Sequence, residues 1–473
     1  MSRLIIVSNR VQQPVAEGAG NQGGLAVALS AALREHSGLW FGWSGDTTAH
    51  FTGEIDFQTN YGVTTATIDL EEQDIDEYYN GYANRTLWPL FHYRIDLAEF
   101  QRSFAGGYER VNARFADTLI PLIEPDDLLW IHDYHLIPLG RELRRRGCTN
   151  RIGFFLHTPW PAAGILRTLP SCRQLVESMF HYDVVGFQTP EWLSSFRYYV
   201  ASQTEASVGA DGWMTLENRT MRAIACPIGL DTASFVEAST APVALEACER
   251  MRVSANGRAM IVGADRLDYS KGLPERFLGY EHFLATHPER HGKVFLLQIA
   301  PVSRDEVATY QDIHNTLDAL AGRINGSFAN IEWVPLRYVN QGHSREQLAG
   351  IYRAARVGLV TSLRDGMNLV AKEYVAAQDP EDPGVLILSR FAGASLQLKD
   401  AVLINPYSAE EIADAIERAL SMPLAERKAR WRKLMDSVER EDVIWWRKRF
   451  VEALSLPNET PKGNAVLVAA NGN

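Results

Sequence analysis

Short apolar runs recur from one end of this chain to the other, at 4–7, 128–131, 152–156, 184–187, 259–262, 294–299, 357–360 and 385–388. Each is four to six residues long and rich in Val, Ile, Leu and Phe, as strands buried on both faces are. Between and beyond them, apolar positions repeat at helical spacing, clearest over 25–33, 409–420, 424–438 and 442–454. Strand patterns alternating with helix patterns predict an α/β fold with parallel sheets covered by helices on both faces.

The runs lead repeatedly into polar or charged residues: Ser8-Asn9-Arg10, His132-Asp133-Tyr134-His135, His157-Thr158, Asp265-Arg266, Ser303-Arg304 and Arg364-Asp365. In open parallel sheets the loops at strand carboxyl ends form the ligand crevice, so these tips are expected to converge. The densest is 358–376, where a strand pattern passes through Arg364-Asp365-Gly366-Met367-Asn368 into a helix pattern carrying Leu369, Val370 and Tyr374. The first N–H groups of such a helix favour phosphate. Asp365 and Glu373 beside that seat would repel phosphate and suit hydroxyls instead, which points to a molecule with both, such as a nucleotide sugar. Arg266 and Lys271, five apart in the loop after 259–262, suit a departing diphosphate, the alternative being surface salt bridges with Asp265 or Asp268.

Other motifs carry less on their own. Gly23-Gly24, after the first strand and before a helix pattern, would let backbone approach a phosphate or sugar, or would simply turn the chain. His132 and His135 have HxxH spacing, but with no further ligand cluster nearby, zinc is not expected. His157 is either a satisfied core histidine or a sugar contact. Asp74-Ile75-Asp76 has the DxD form that holds a metal in many glycosyltransferases, yet it sits in an acidic helix-like run with no evident preceding strand, and reads as a solvated face. Trp43, Tyr79 and Trp88 read residue by residue as core.

A chain of 473 residues exceeds one ordinary core, and two domains are expected, 1–231 and 232–441. The divide falls where Pro227 and Gly229 interrupt the pattern. The aromatic helix pattern over 442–456, with Trp445 and Trp446, is expected to dock back on the first domain, and 457–473 to form a loose tail. With 47 Lys and Arg against 58 Asp and Glu, the net charge of −11 disfavours nucleic acid and anionic membrane as partners. Four scattered cysteines without CxxC spacing are expected to be reduced thiols, and with no signal-peptide core or membrane-length apolar run the expected compartment is the cytoplasm.

Taken in order, NQGGLAVAL, LWFGWSG, DEYYN, LWPLFHYR, WIHDYHL, GFFLHTPWP, DRLDYSKGLPERF, QIAPVSR, AGRINGSF and LRDGMNLVAKEYVA resemble the trehalose-6-phosphate synthase family, over residues 3 to about 455. The resemblance implies a GT-B fold, two Rossmann-like doubly wound domains facing a central cleft. It also implies transfer of glucose, with retention, from UDP-glucose to glucose 6-phosphate, by a homo-oligomer needing neither metal nor cofactor. On the donor side it implies Gly23, Gly24, Arg266, Lys271, His343 near the base, and Leu369, Val370, Ala371, Lys372 and Glu373 on nucleotide and ribose. His157 and Asp365 would hold glucose hydroxyls, and Arg266 and Lys271 would stabilise the leaving diphosphate. On the acceptor side it implies Arg10 and Arg304 for the 6-phosphate, with Trp43, Tyr79, Trp88 and Asp133 shaping the sugar pocket. Rival readings are a relative using glycerol 3-phosphate or another donor base, a nucleotide-sugar epimerase, and a silent sugar-phosphate sensor.

Overall fold

The computed structural model describes residues 3–11, 29, 33, 38–301 and 308–456. Gly23, Gly24, Arg304 and the expected tail 457–473 lie outside them. The chain separates into two compact units: one holds the described residues up to Pro227 and those from Trp446 onward, the other Ile228–Trp445.

The first unit is built on a ten-stranded sheet of β1 (Leu4–Arg10), β2 (Leu39–Thr48), β3 (Asp56–Asn60), β4 (Val63–Glu71), β5 (Leu128–His132), β6 (Arg151–Leu156), β7 (Val184–Phe187), β8 (Ser207–Val208), β9 (Trp213–Leu216) and β10 (Arg219–Ala225). Their order is β3-β4-β2-β1-β5-β6-β7-β10-β9-β8. The seven strands from β4 to β10 pair in parallel, with antiparallel strands only at the two edges. From β1 the chain builds outward through β2 to β4, then returns to β1's other side with β5. That reversal leaves a crevice beyond the carboxyl ends of β1 and β5.

The second unit has six strands, all parallel: β11 (Ala259–Ala264), β12 (Val294–Ile299), β13 (Leu336–Val339), β14 (Val357–Val360), β15 (Val385–Ser389) and β16 (Val402–Ile404). Their order, β13-β12-β11-β14-β15-β16, reverses between β11 and β14. Its core packs Phe277, Tyr280 and Phe283 of helix Leu273–Thr286 with Ile412 and Ile416 of helix Ala409–Ser421, around inward residues such as Ile261, Leu296, Leu359 and Ile387.

Helix Val443–Ser455 carries a buried stripe of Trp446, Phe450 and Leu454. Phe450 stacks on Trp130 at 4.7 Å, and Trp446 lies 4.8 Å from the same ring. Gly153 on β6 makes the space, because a Cβ there would sit 2.7 Å from the Phe450 ring. All four cysteines are free thiols.

One expectation is corrected. β4 ends at Glu71, just before the motif; Asp76 is exposed as a solvated face would be, but Asp74 is fully buried, held by Arg110 at 2.8 Å and by Arg114. The strand was hard to see because buried Thr65 and Thr67 break its apolar pattern. Paired to two arginines, the Asp74 carboxylate is a structural anchor.

Candidate active site

At the strand reversal of the second unit, a fully buried arginine ties three strands together. Arg276 donates to Asp265 at 2.7 Å after β11, to Gln298 at 2.7 Å on β12, and to the Thr361 hydroxyl at 3.0 Å after β14. A buried guanidinium needs this full set of acceptors. Burial still outweighs Arg276's charge at Asp265 and raises the pKa of that carboxyl. The loops touch again where Thr361 donates to the Gly272 carbonyl at 2.8 Å and Leu363 N–H to the Ser270 carbonyl at 2.8 Å. Only glycine fits at 272: φ is +62° and a Cβ would meet the Thr361 carbonyl at 2.1 Å.

This scaffold presents Lys271, whose Nζ donates to Asp365 Oδ2 at 2.6 Å. The same oxygen accepts from Asn368 Nδ2 at 3.1 Å and the Ser362 hydroxyl at 3.3 Å. Arg266, in the same loop as Lys271, is exposed. Asn368, in a left-handed conformation, caps helix Leu369–Ala377 by accepting from Ala371 N–H at 3.0 Å. The N–H groups of Leu369 and Val370, both half-buried, open that helix and have no partner within it. Ala371 is buried. Glu373 is pushed up by burial to about 7, against the pull of Arg345, so near neutrality it is divided between acid and carboxylate.

Two expected donor residues stand apart from this cluster. Lys372 is buried and donates to the Ile228 carbonyl at 2.7 Å, which commits its ammonium elsewhere; burial lowers its pKa to about 7. His343 is half-buried in the loop after β13, the outermost strand on its side of the sheet.

In the first unit the corresponding crevice is lined by rings. The Arg10 guanidinium, at the end of β1, lies 5.6 Å from the Trp43 ring centre. Trp43 meets Tyr79 edge-on at 5.6 Å, Tyr79 stacks on His135 at 6.0 Å, His135 lies 3.9 Å from Tyr134, and Tyr134 lies 5.6 Å from Trp88. Trp43 and Trp88 are both buried, as the reading of each as core expects. Gly45 makes room for Arg10: its φ is +100°, and a Cβ would lie 2.2 Å from the guanidinium.

Asp133 comes directly after β5 with φ +72° and accepts from the backbone N–H of His157, after β6, at 3.1 Å. His157 has both ring nitrogens engaged, Nε2 with His132 Nδ1 at 3.0 Å and Nδ1 with Gln188 Nε2 at 3.2 Å. Burial holds His157 down at about 3 and takes His132 well below the usual range, so the pair is neutral at ordinary pH. For a ring nitrogen of His157 to bind a sugar hydroxyl, it must first give up one of these partners.

The structure thus brings Arg266, Lys271, Asp365 and the start of helix Leu369–Ala377 to one place, and Arg10, Trp43, Tyr79, Trp88, Asp133 and His157 to another. Sequence reasoning missed Arg276, Asn368 and Gln188 as supports. Arg276 stands five residues after Lys271 in a helix pattern, and nothing local distinguishes it from a surface arginine. Among the described residues one trio, His287, Glu289 and Glu417, has metal-ligand spacing, but Glu417 is held by Arg290 at 2.5 and 2.8 Å.

Two doubly wound sheets, one with cations and hydroxyl acceptors at its reversal and one with an arginine beside aromatic walls, define an enzyme of the GT-B glycosyltransferase class. The chain belongs to glycosyltransferase family 20, whose model matches residues 2–456. A trehalose-6-phosphate synthase of Sinorhizobium fredii is 48% identical over 461 residues, covering 97% of this chain and 99% of that protein. A structure from E. coli bound with UDP-2-fluoro glucose is 45% identical, with a TM-score of 0.92 over 96% of this chain and 100% of that one. An alpha,alpha-trehalose-phosphate synthase (UDP-forming) from Burkholderia xenovorans, in complex with glucose-6-phosphate, is 46% identical with a TM-score of 0.91, again covering 96% and 100%.

Proposed function

We propose that this chain transfers glucose from UDP-glucose to glucose 6-phosphate, releasing UDP and forming trehalose 6-phosphate. The observation that carries the reading is the meeting of Lys271 and Asp365, 94 residues apart in sequence, at the strand reversal of the second unit. A cation for the diphosphate and a carboxylate for sugar hydroxyls stand side by side there, next to a helix start that suits phosphate. The relatives named above, in complexes with a UDP-glucose analogue and with glucose-6-phosphate, support the same substrates.

In this reading residues 232–441 bind the donor. Lys271 and Arg266 meet the diphosphate, Asp365 the glucose hydroxyls, and the segment Leu369, Val370, Ala371 and Glu373 the nucleotide, with Glu373 on the ribose. Lys372 takes part through its backbone alone, and His343 lies toward the base. Residues 1–231 bind the acceptor: Arg10 takes the 6-phosphate, Trp43, Tyr79 and Trp88 wall the hexose, and Asp133 accepts from its hydroxyls. The glycine pair Gly23-Gly24 and Arg304 keep their expected roles.

Transfer runs with retention and without a covalent enzyme intermediate. Asp265 is held by Arg276 and Asp365 is taken up by the glucose hydroxyls, so neither serves as the nucleophile that a double displacement needs. The bond from the anomeric carbon to the diphosphate oxygen therefore breaks on the face where the acceptor hydroxyl forms its new bond. A diphosphate oxygen takes the hydroxyl proton, and UDP departs against Lys271 and Arg266. The enzyme works in the cytoplasm as a homo-oligomer, a dimer or tetramer, which light scattering would check. No helix among the described residues is long and apolar enough to cross a membrane.

Nucleotide release from UDP-, ADP- and GDP-glucose, each with glucose 6-phosphate, with glycerol 3-phosphate or with neither, tests donor, acceptor and activity together. Release is expected fastest from UDP-glucose with glucose 6-phosphate. Equal release with glycerol 3-phosphate, or none with any pair, would overturn the proposal.

A further inference from the structure

Lys271 and Asp365 are assigned to different parts of one donor molecule, yet here they are bound to each other. Nζ sits 2.6 Å from Oδ2, with both side chains about seven-eighths enclosed, at 13% and 12% exposure. The Lys271 ammonium cannot turn to a diphosphate at full strength while it holds this contact. The Asp365 carboxylate, for its part, is pinned by Asn368 at 3.1 Å and Ser362 at 3.3 Å, so it stays in place when the lysine leaves. A ligand that draws Lys271 away breaks this enclosed ion pair, a cost that is offset where the ligand also brings partners to Asp365.

We propose that the Lys271–Asp365 pair is a latch that discriminates the sugar nucleotide from the free nucleotide. UDP-glucose brings a diphosphate for Lys271 and hydroxyls for Asp365, so both ends of the opened pair are satisfied. UDP brings only the diphosphate and offers Asp365 nothing in place of Lys271. The pair thereby weakens binding of the product relative to the donor, and Asp365 is a specificity-determining residue as well as a sugar contact. The inference rests on the donor roles proposed above for these two residues.

Calorimetric titration of UDP and of UDP-glucose into wild-type protein, Asp365→Asn, Lys271→Gln and the double variant tests it. Asp365→Asn is expected to bind UDP about threefold to fivefold more tightly than wild type, the upper part of the range of a partly exposed ion pair. UDP-glucose is expected to gain nothing, so the preference for the sugar nucleotide shrinks. In the Lys271→Gln background, Asp365→Asn is expected to change UDP affinity by less than about twofold, because the partner is already gone. Asp365→Ser, also titrated, should move UDP affinity in the same direction and serves if the asparagine variant melts early. UDP affinity unchanged or weakened in a folded Asp365 variant, or the same tightening without Lys271, overturns the latch while leaving the donor site standing. Wild-type protein that binds neither nucleotide overturns the donor site and the latch together.

Discussion

Both units reverse their strand order beside a central strand, β1 in one and β11 in the other, and both place functional candidates beyond the carboxyl ends there. The linings differ. The second unit's crevice is stitched by charge, with Arg276 joining Asp265, Gln298 and Thr361, and Lys271 joining Asp365. The first unit's is walled by rings, from Trp43 through Tyr79, His135 and Tyr134 to Trp88, with its histidine pair held neutral. One architecture thus serves two chemistries. On the proposed reading, charge held on the Arg276 scaffold stabilises a leaving group, whereas flat apolar faces enclose a sugar ring and let a single arginine orient it.

The largest expected effect would break that division if it failed. Arg266→Ala should lower turnover about 100- to 1000-fold, as loss of a transition-state charge does. The Michaelis constant for glucose 6-phosphate should stay within about twofold; steady-state kinetics with either substrate varied will show whether acceptor binding falls alongside turnover, in which case the two crevices do not divide the work.

Next is the scaffold of the ring-lined crevice. Gly153→Ala would set a Cβ 2.7 Å from Phe450, which stacks on Trp130 behind the histidine pair. Overpacking of this kind costs about 1–3 kcal/mol. Urea unfolding should register that loss, and an unchanged midpoint would mean that helix Val443–Ser455 yields freely.

Acid separates the units by sign. His157 stands near 3 against an ordinary 6.5, so its contribution to stability is full above 6.5 and is lost as pH falls toward 3. Glu373 stands near 7 against an ordinary 4.5, so its contribution is full below 4.5 and is lost as pH rises through 7. Between pH 6.5 and 5, each of these groups changes unfolding free energy by up to about 1.4 kcal/mol per pH unit, in opposite directions. Relative to wild type, His157→Asn should therefore shift the balance between the two denaturation midpoints toward pH 5, and Glu373→Gln should shift it toward pH 7. Parallel behaviour of the two variants would remove the contrast.

The smallest effect sharpens the acceptor side. Gly45→Ala forces a side chain into φ +100° and against the Arg10 guanidinium. The Michaelis constant for glucose 6-phosphate should rise about threefold to tenfold with turnover at saturation little changed, the pattern of lost ground-state binding. A drop in turnover alone would take Arg10 out of phosphate binding.

The α/β class and eight of the strands were legible because strands buried on both faces are short apolar runs, and the loops after them are polar by necessity. β2 and β4 were not, since buried threonines and a polar carboxyl half blur their pattern. Lys271 and Asp365 could be singled out by their loops. That they bind each other could not, because strand order is a long-range property and β14 reaches β11's side only after two intervening strands are laid down on the other. Lys372 illustrates the same limit: it sits in the most telling motif of the chain, but its ammonium is spent on the Ile228 carbonyl, 144 residues away.

The repeating strand and helix pattern, the polar tips and the chemistry those tips could carry depend on residues close together along the chain and were readable from their order. Which tips share a crevice, which charges neutralise one another and which nitrogens are left for a ligand were decided by the tertiary structure. Hydrogen bonds and ion pairs are set by distances of a few ångströms, and only the folded sheets bring residues a hundred positions apart within that reach.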